Sequence, residues 1–375
     1  MAVLFFADES AGNTSRIAQA SVKPVPQFHP MLEPLLYNLQ YTPLSSRFEG
    51  RSIHRLARLC RAFDEASSDP SHTFDCLGLE WHHADSKLDA FFYGRNEILK
   101  SPRFCAPEWL AAHLEFTNSE RGCLHFPDGH YFELDFKDGD YAVAGIFQAY
   151  IEDASADNNI ENITSYLCAL GYLGPSVPIF AESLARIQDA LGCPYQIGLM
   201  NGRGGAIKLV SKLRKDRFQE TQAKKIEAFL HLYFSETMGA AQHSVASFTR
   251  QLLRIAYRCD IRISLDYDVK SNHFFPILAV EVELPKGTSY ADSPDVEDVI
   301  DLFRLDRDLL EGFYELHREL PSGIKIRSIY HQLLVCVSTH IKLSLTPRGG
   351  FIKSYLGVHG RRSSDSPIVG IAPLV

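Results

Sequence analysis

Charged and aromatic residues alternate with aliphatic ones along several strand-like stretches, and together they could bind and activate a charged ligand. Successive strand side chains point to opposite faces. The faces opposite the aliphatic stripes carry Glu80, Asp89, Phe91, Tyr93, Gln148, Tyr150, Met200, Lys208, Lys212, Arg262, Ser264, Asp266, Lys342, Lys353 and Tyr355. Clustered Lys and Arg in a low-dielectric pocket repel each other unless an anion lies among them. Nearby aromatic faces would stabilise a cation. A ligand with an anionic end and a cationic transition state would satisfy both groups.

Each of these residues also has a purely structural interpretation. A lysine in a strand is more often a solvated edge charge than a ligand, and Phe91, Tyr93 and Tyr150 are individually more typical of packing. For Glu80, which precedes Trp81 in an apolar run, the two interpretations are balanced. The recurrence of the pattern in successive hairpins is what favours a shared site.

The other motifs in the sequence are weaker evidence for a functional site. The adjacent residues His82 and His83 point to opposite faces of a strand, so they are poor joint metal ligands. The stretch GRGGAIK lacks the GxxxxGK[ST] pattern of a phosphate loop and lies between strands. HExxH and GxSxG are both absent from the sequence.

Composition sets the class of protein. Hydrophobic residues make up 45% of the 375 residues and charged residues 22%, which is typical of a globular protein. A net charge of −8 argues against general binding of nucleic acid. The apolar runs are too short for a membrane span, and MAVLFFADES lacks the basic start of a signal peptide. The eight scattered cysteines favour a reducing, cytoplasmic location over a disulfide framework.

Five pairs of strands are predicted from alternation and turn residues. They cover residues 74–82 and 87–93, 130–136 and 141–151, 195–201 and 206–213, 260–269 and 274–284, and 334–346 and 350–359. Helices are predicted within 31–69 and over 107–116, 178–191, 216–234, 244–257 and 294–320, and an acidic loop follows residue 151. Helix, strand, strand, helix thus recurs about every sixty residues.

This order predicts an α+β fold: a ten-stranded antiparallel barrel of five αββα repeats with the helices outside. Closure into a barrel removes exposed strand edges, and ten strands leave a lumen wider than side chains alone would fill. We expect a loosely structured segment over 1–30, one barrel domain over 31–361 and a flexible tail over 362–375. The mixed faces of the hairpins would line the lumen.

Several strand motifs carry a family resemblance that covers roughly residues 50–360. They are FDCLGLEW, KLDAFFYG, YQIGLMNGRGGAIKLV and IKLSLTPRGGFIKSYLGVH. With the repeat order, they resemble the αββα-barrel (ABBA) soluble aromatic prenyltransferases, which act in natural-product biosynthesis. The resemblance implies transfer of an allylic isoprenyl group from its diphosphate to an aromatic, indole-like small molecule. The stretch PILAVEVEL departs from the pattern, since it lacks a basic residue where the family has one.

The resemblance also implies roles for individual residues. Glu80 matches the acid that takes the acceptor N–H, and Asp89 matches an acid that holds Mg²⁺ in one branch of the family. Diphosphate contacts would come from Lys208 and Lys353, joined by Lys342 and Arg262. The cation shield and acceptor pocket would comprise Phe91, Tyr93, Tyr150, Met200 and Tyr355.

Two alternatives stay open on the sequence. The same fold could prenylate a peptide side chain, as cyanobactin-type prenyltransferases do. The barrel could also bind a hydrophobic or anionic ligand without catalysis. None of the three interpretations requires nucleic acid, a membrane or a cofactor other than Mg²⁺.

Overall fold

The structure, a computed structural model, describes residues 74–83, 87–94, 109–127, 130–137, 140–200, 205–239, 242–283, 301, 324–327 and 332–362. The predicted segment 1–30, the helices within 31–69 and, apart from Asp301, over 294–320, and the tail beyond residue 362 lie outside these ranges. The domain boundaries therefore stay predictions. Within the described ranges, the helices are all too short or too polar to cross a membrane.

A single antiparallel sheet organises the described residues. Its strands are β1 (Phe74–His82), β2 (Lys87–Gly94), β3 (His130–Lys137), β4 (Asp140–Ala149), β5 (Pro194–Met200), β6 (Ala206–Leu213), β7 (Ile261–Asp268), β8 (His273–Glu283), β9 (Ile324–Arg327), β10 (Gln332–Thr346) and β11 (Gly349–Arg362). Strands β1 to β8 pair in chain order, and β8 pairs with β10. Strand β11 pairs with both β10 and β1, so the sheet closes on itself as a barrel.

Helices occupy the connections at one end of the barrel. They are α1 (Trp109–Thr117), α2 (Gly122–His125), α3 (Ala156–Ala169), α4 (Val177–Leu191), α5 (Glu220–Thr237) and α6 (Gln242–Ala256). The hairpin turns between the paired strands lie at the other end.

The hydrophobic core lies between the helices and one face of the sheet. In β7 it takes Ile261, Ile263 and Leu265, and in β8 it takes Leu278, Val280 and Val282. The helices contribute side chains such as Ile226, Leu230 and Leu252. Because strand side chains alternate, the intervening residues of these strands point into the barrel.

The predicted antiparallel sheet with helices is confirmed, with differences. The described strands number eleven rather than ten, because the short β9 pairs with β10. The predicted acidic loop after residue 151 contains helix α3 instead. Ser155 caps this helix by accepting a hydrogen bond from the Asn158 backbone N–H, and such a cap stabilises a helix whose first turn is polar. The five repeats stay a prediction.

Candidate functional site

The inward faces of the strands enclose a cavity of about 270 Å³. Most of the residues predicted to line a lumen do line it: Glu80, Asp89, Phe91, Lys208, Arg262, Ser264, Asp266, Lys342, Lys353 and Tyr355. They come from β1, β2, β6, β7, β10 and β11, so the closure of the sheet brings together residues that are up to 275 positions apart.

A row of charged residues crosses four neighbouring strands at one level of the barrel. Arg262 of β7 pairs in register with Glu281 of β8, Glu281 with Lys342 of β10, and Lys342 with Lys353 of β11. Lys342 Nζ donates to Glu281 Oε1 at 2.7 Å, and Arg262 Nη1 lies 3.6 Å from Glu281 Oε2. Each of these four residues is at most 8% exposed. The register of the sheet therefore builds a buried row in which the Glu281 carboxylate lies between Arg262 and Lys342, with a second lysine, Lys353, beside Lys342.

The protonation states in this row follow from burial and charge. Burial alone would raise the pKa of the Glu281 carboxyl, but its cationic neighbours, with Lys342 foremost, outweigh burial and hold that pKa well below its usual range. Burial lowers the pKa of His340, whose Nε2 lies 4.0 Å from Glu281 Oε2. The imidazole is therefore neutral near pH 7, and Lys342 and Arg262 supply the positive charge.

A second network surrounds Glu80. Lys353 Nζ donates to Glu80 Oε1, and the Tyr355 hydroxyl donates to Glu80 Oε2. Burial alone would raise the pKa of Glu80, but Lys353 and His82 hold it well below its usual range. Burial and the nearby Glu80 charge raise the pKa of Tyr355, so its hydroxyl keeps the proton. Glu80 is thus an ionised hydrogen-bond acceptor inside the cavity.

The carboxylate of Asp89 lies beside this network. His82 Nε2 lies 2.8 Å from Glu80 Oε1 and 3.2 Å from Asp89 Oδ2. Burial opposes protonation of His82, but the two carboxylates outweigh it and raise the pKa of the imidazole. One ligand atom from each of Glu80, His82 and Asp89 lies within 4.8 Å of the others, a spacing that a metal ion could bridge.

Lysine and aspartate also pair on the far side of the cavity. Lys208 Nζ of β6 lies 3.2 Å from Asp266 Oδ1 of β7, and both side chains are at most 8% exposed. The cavity lining contains five Asp or Glu and four Lys or Arg, so internal carboxylates accompany all four cations. The sequence argument that clustered cations need an anion is therefore met partly by the protein itself.

Aromatic rings form one wall beside Glu80. The Phe91 ring lies 5.8 Å from that of Tyr355 and 5.9 Å from that of Tyr131, measured between centroids. Tyr355 in turn stacks on His340 at 4.1 Å with 14° between the ring planes. These π faces line the cavity next to the cationic row, where they could stabilise a positive charge on a ligand.

Two residues predicted for this pocket, Tyr150 and Met200, do not line the cavity. Tyr150 packs outside the sheet, where its hydroxyl donates to Asn159 Oδ1 at 2.7 Å, so its predicted lumen position is wrong. Met200 is buried against Gly145 near the end of β5. Tyr93 belongs to β2, but its side chain lies outside the described part of the structure.

Polarity gave the wrong face in β4, where Phe147 points into the cavity and Gln148 points away. The side-chain amide nitrogen of Gln148 donates to the carbonyl oxygens of Pro127 and Ala149, so this donor finds its partners outside the barrel. Lys212 is likewise absent from the cavity lining and lies 3.4 Å from Asp260.

Sequence reasoning missed several lining residues, namely His340, Glu281, Glu133, Tyr131, Phe147 and Phe351, and it left His82 out of the site. Glu281 could have been found, because it shares the inward parity of Ile277 and Ala279 in a strand whose other face is aliphatic. No comparable pattern in the sequence indicates that Phe147 points into the barrel.

The protein shows only modest similarity to known proteins. No family model matches the chain, and a search of curated proteins found no match. Among solved structures, it is similar to AnaPT from Neosartorya fischeri, with 12% identity over 89% of this chain and 93% of that chain and a TM-score of 0.48. It is also similar to NotF prenyltransferase, with 10% identity, coverage of 90% and 97%, and a TM-score of 0.45. With both TM-scores below 0.5, similarity this low transfers neither a family nor an activity to this chain.

Proposed function

We propose that this barrel is an aromatic prenyltransferase, which moves an allylic isoprenyl group from its diphosphate to an aromatic small molecule. One observation carries the proposal. A cationic row, an ionised acid and an aromatic wall share one buried cavity. Lys353 belongs to the row and also donates a hydrogen bond to Glu80. These are the groups that an anionic leaving group, an N–H or O–H donor and an allylic cation require.

The diphosphate would bind to Lys353, Lys342, Arg262 and Lys208. Charge-assisted hydrogen bonds strengthen as the C–O bond breaks and charge collects on the leaving diphosphate, which is the condition for catalysis. The allylic cation would lie against Phe91 and Tyr355, and the enclosed barrel would keep water away from it. The acceptor ring carbon then bonds to the cation, and the ring releases a proton.

Glu80 would hold the acceptor. Because its carboxylate is ionised and buried, it can accept a hydrogen bond from an indole N–H or a phenol O–H and raise the electron density of the ring. We propose an indole-containing acceptor, since an indole offers one N–H donor and a nucleophilic ring. Tyr355 and Lys353 fix the position of the carboxylate.

In the proposed function, Asp89 is the residue of the Glu80–His82–Asp89 group that binds Mg²⁺. Mg²⁺ prefers oxygen ligands in octahedral geometry, which suits Asp89 together with diphosphate oxygens. Glu80 already accepts from the Lys353 ammonium, and His82 offers nitrogen, so these two fit Mg²⁺ less well. A bound Mg²⁺ would neutralise charge on the diphosphate. We also propose a cytoplasmic location, which the free thiols of Cys123, Cys168 and Cys193 support.

A second candidate function is binding without catalysis, and one observation favours it. The cavity cations already have carboxylate neighbours, which an incoming diphosphate must compete with. Incubation with dimethylallyl diphosphate and a panel of indoles and phenols, with and without Mg²⁺, separates the two functions. A product heavier by one isoprenyl group supports the transferase, and ligand binding without product supports the binder.

A further inference from the structure

One aromatic side chain lies flat against a glycine inside the barrel. Phe147 of β4 and Gly198 of β5 are directly opposite in the sheet register. A Cβ placed on Gly198 would lie 2.9 Å from the Phe147 ring atoms Cδ1 and Cε1, and 3.0 Å from Cβ of Lys208. Because Gly198 has no side chain, the Phe147 ring can lie at this position, next to Cβ of Lys208, which lines the cavity.

Two residues earlier in β4 the arrangement is reversed. A Cβ on Gly145 of β4 would lie 3.2 Å from the sulfur of Met200 of β5. Large side chains therefore lie over glycines in both directions across these two strands. Phe147 lines the cavity and Met200 does not, so Phe147 is the one of the two that limits the space open to a ligand.

The volume of the cavity defines that limit. A protein cavity of about 150 Å³ holds one benzene molecule. The cavity here, at about 270 Å³, has space for slightly less than two fragments of that size. The same cavity must also hold the diphosphate, so one aromatic ring system, one five-carbon group and the diphosphate already fill it, and five further carbons exceed it.

We propose that Phe147, held by Gly198, restricts the donor to a five-carbon allylic diphosphate and the acceptor to a molecule of one or two rings. The inference rests on the proposed function. A donor chain attached to a diphosphate at Lys208 would lie near the Phe147 ring, because Lys208 Cβ and that ring both border Gly198. A second isoprene unit would need the space that this ring occupies.

The test is the ratio of kcat/KM for dimethylallyl diphosphate to that for geranyl diphosphate. One extra methylene in an apolar pocket changes kcat/KM about 10–200-fold, so five further carbons give a wild-type ratio above about 100. Phe147→Ala lowers this ratio at least about tenfold by opening the pocket. Gly198→Ala leaves the ratio high and slows the five-carbon reaction, because the new methyl group pushes the ring into the cavity.

Gly145→Ala is the matched control, since it adds the same methyl group in the same sheet against Met200. Its ratio stays within about twofold of wild type. If Phe147→Ala does not unfold cooperatively, Phe147→Leu takes its place with a smaller change in the same direction. A folded Phe147 variant with the wild-type ratio, or a Gly145→Ala effect equal to that of Gly198→Ala, overturns the proposal.

Neutral ligands separate this inference from the proposed function. Calorimetric titration with dimethylallyl alcohol and geraniol measures the size limit without any transfer reaction. If geraniol binding improves in Phe147→Ala while no diphosphate gives product, the size limit holds and the transferase function fails. The opposite outcome is also distinguishable. If wild type forms product, and Phe147→Ala changes neither the kcat/KM ratio of the two diphosphates nor the relative affinity for the two alcohols, the size limit fails and the function stands.

Discussion

Glu281 offers the sharpest test of the buried charge network. It joins β7 to β10, because its carboxylate lies 3.6 Å from Arg262 and accepts from Lys342 at 2.7 Å. Glu281→Gln keeps the shape of the side chain and removes its charge, which leaves two buried cations without their carboxylate. Loss of one partner from a buried ion pair costs about 3–5 kcal/mol. We therefore expect the free energy of unfolding to fall by about that amount.

Urea unfolding, followed by tryptophan fluorescence, measures this loss. The matched control is Glu220→Gln, which removes the acid of an exposed pair on α5 where Lys224 lies 3.1 Å away. Exposed pairs contribute about 1 kcal/mol at most, so this control stays close to wild type. Adding Lys342→Met to Glu281→Gln restores part of the loss, because one uncompensated cation then leaves the interior.

Inorganic diphosphate extends the same test to ligand binding. An anion that binds among Lys342, Arg262 and Lys353 replaces the missing carboxylate, so diphosphate stabilises Glu281→Gln more than wild type. A stability loss below about 1 kcal/mol would show that water screens the row. Equal stabilisation of both proteins by diphosphate would place the anion elsewhere.

Three further predictions follow from single residues. Lys208→Met raises the Kd of the diphosphate donor about 10–100-fold, the effect of one charge-assisted hydrogen bond, whereas calorimetry on Lys212→Met, four residues along β6, shows less than a twofold change. Burial lowers the pKa of His113 to about 4, and the unfolded chain takes up that proton near pH 6.5. The contribution of His113 to stability therefore falls by about 3 kcal/mol as the pH drops from 6.5 to 4, and urea unfolding of His113→Gln shows a pH dependence that is weaker by this amount. Asp89→Asn abolishes any stimulation of product formation by Mg²⁺, and unchanged stimulation would remove Asp89 from the metal site.

Local pattern predicts most of the sheet because period-two alternation is strong in these strands. The predicted strand over 206–213 coincides with β6, and the predicted strand over 74–82 coincides with β1. Lumen residues on β6, β7, β10 and β11 follow from the same alternation, because their opposite faces are aliphatic. In β4 both faces carry apolar residues, so neither Phe147 nor Tyr150, which follows the strand directly, could be assigned to a face from polarity.

Partnerships across the barrel could not be predicted from the sequence. The contact of Lys353 with Glu80 depends on β11 pairing with β1, which are separated by nearly the whole described chain. The position of Glu281 between Arg262 and Lys342 depends on two registers at once. Helix α3 was missed because its first turn, ADNN, resembles a polar loop until the cap at Ser155 is known.

The most direct test of the central claim compares wild type with Glu80→Gln in one assay of prenyl transfer and one of donor binding. Both use dimethylallyl diphosphate, and the transfer assay adds an indole acceptor. We predict product from wild type, a loss of at least about 100-fold in kcat for Glu80→Gln, and donor affinity within a few-fold of wild type. Full turnover by the variant, or no product from the folded wild-type protein across the acceptor panel, would contradict the account.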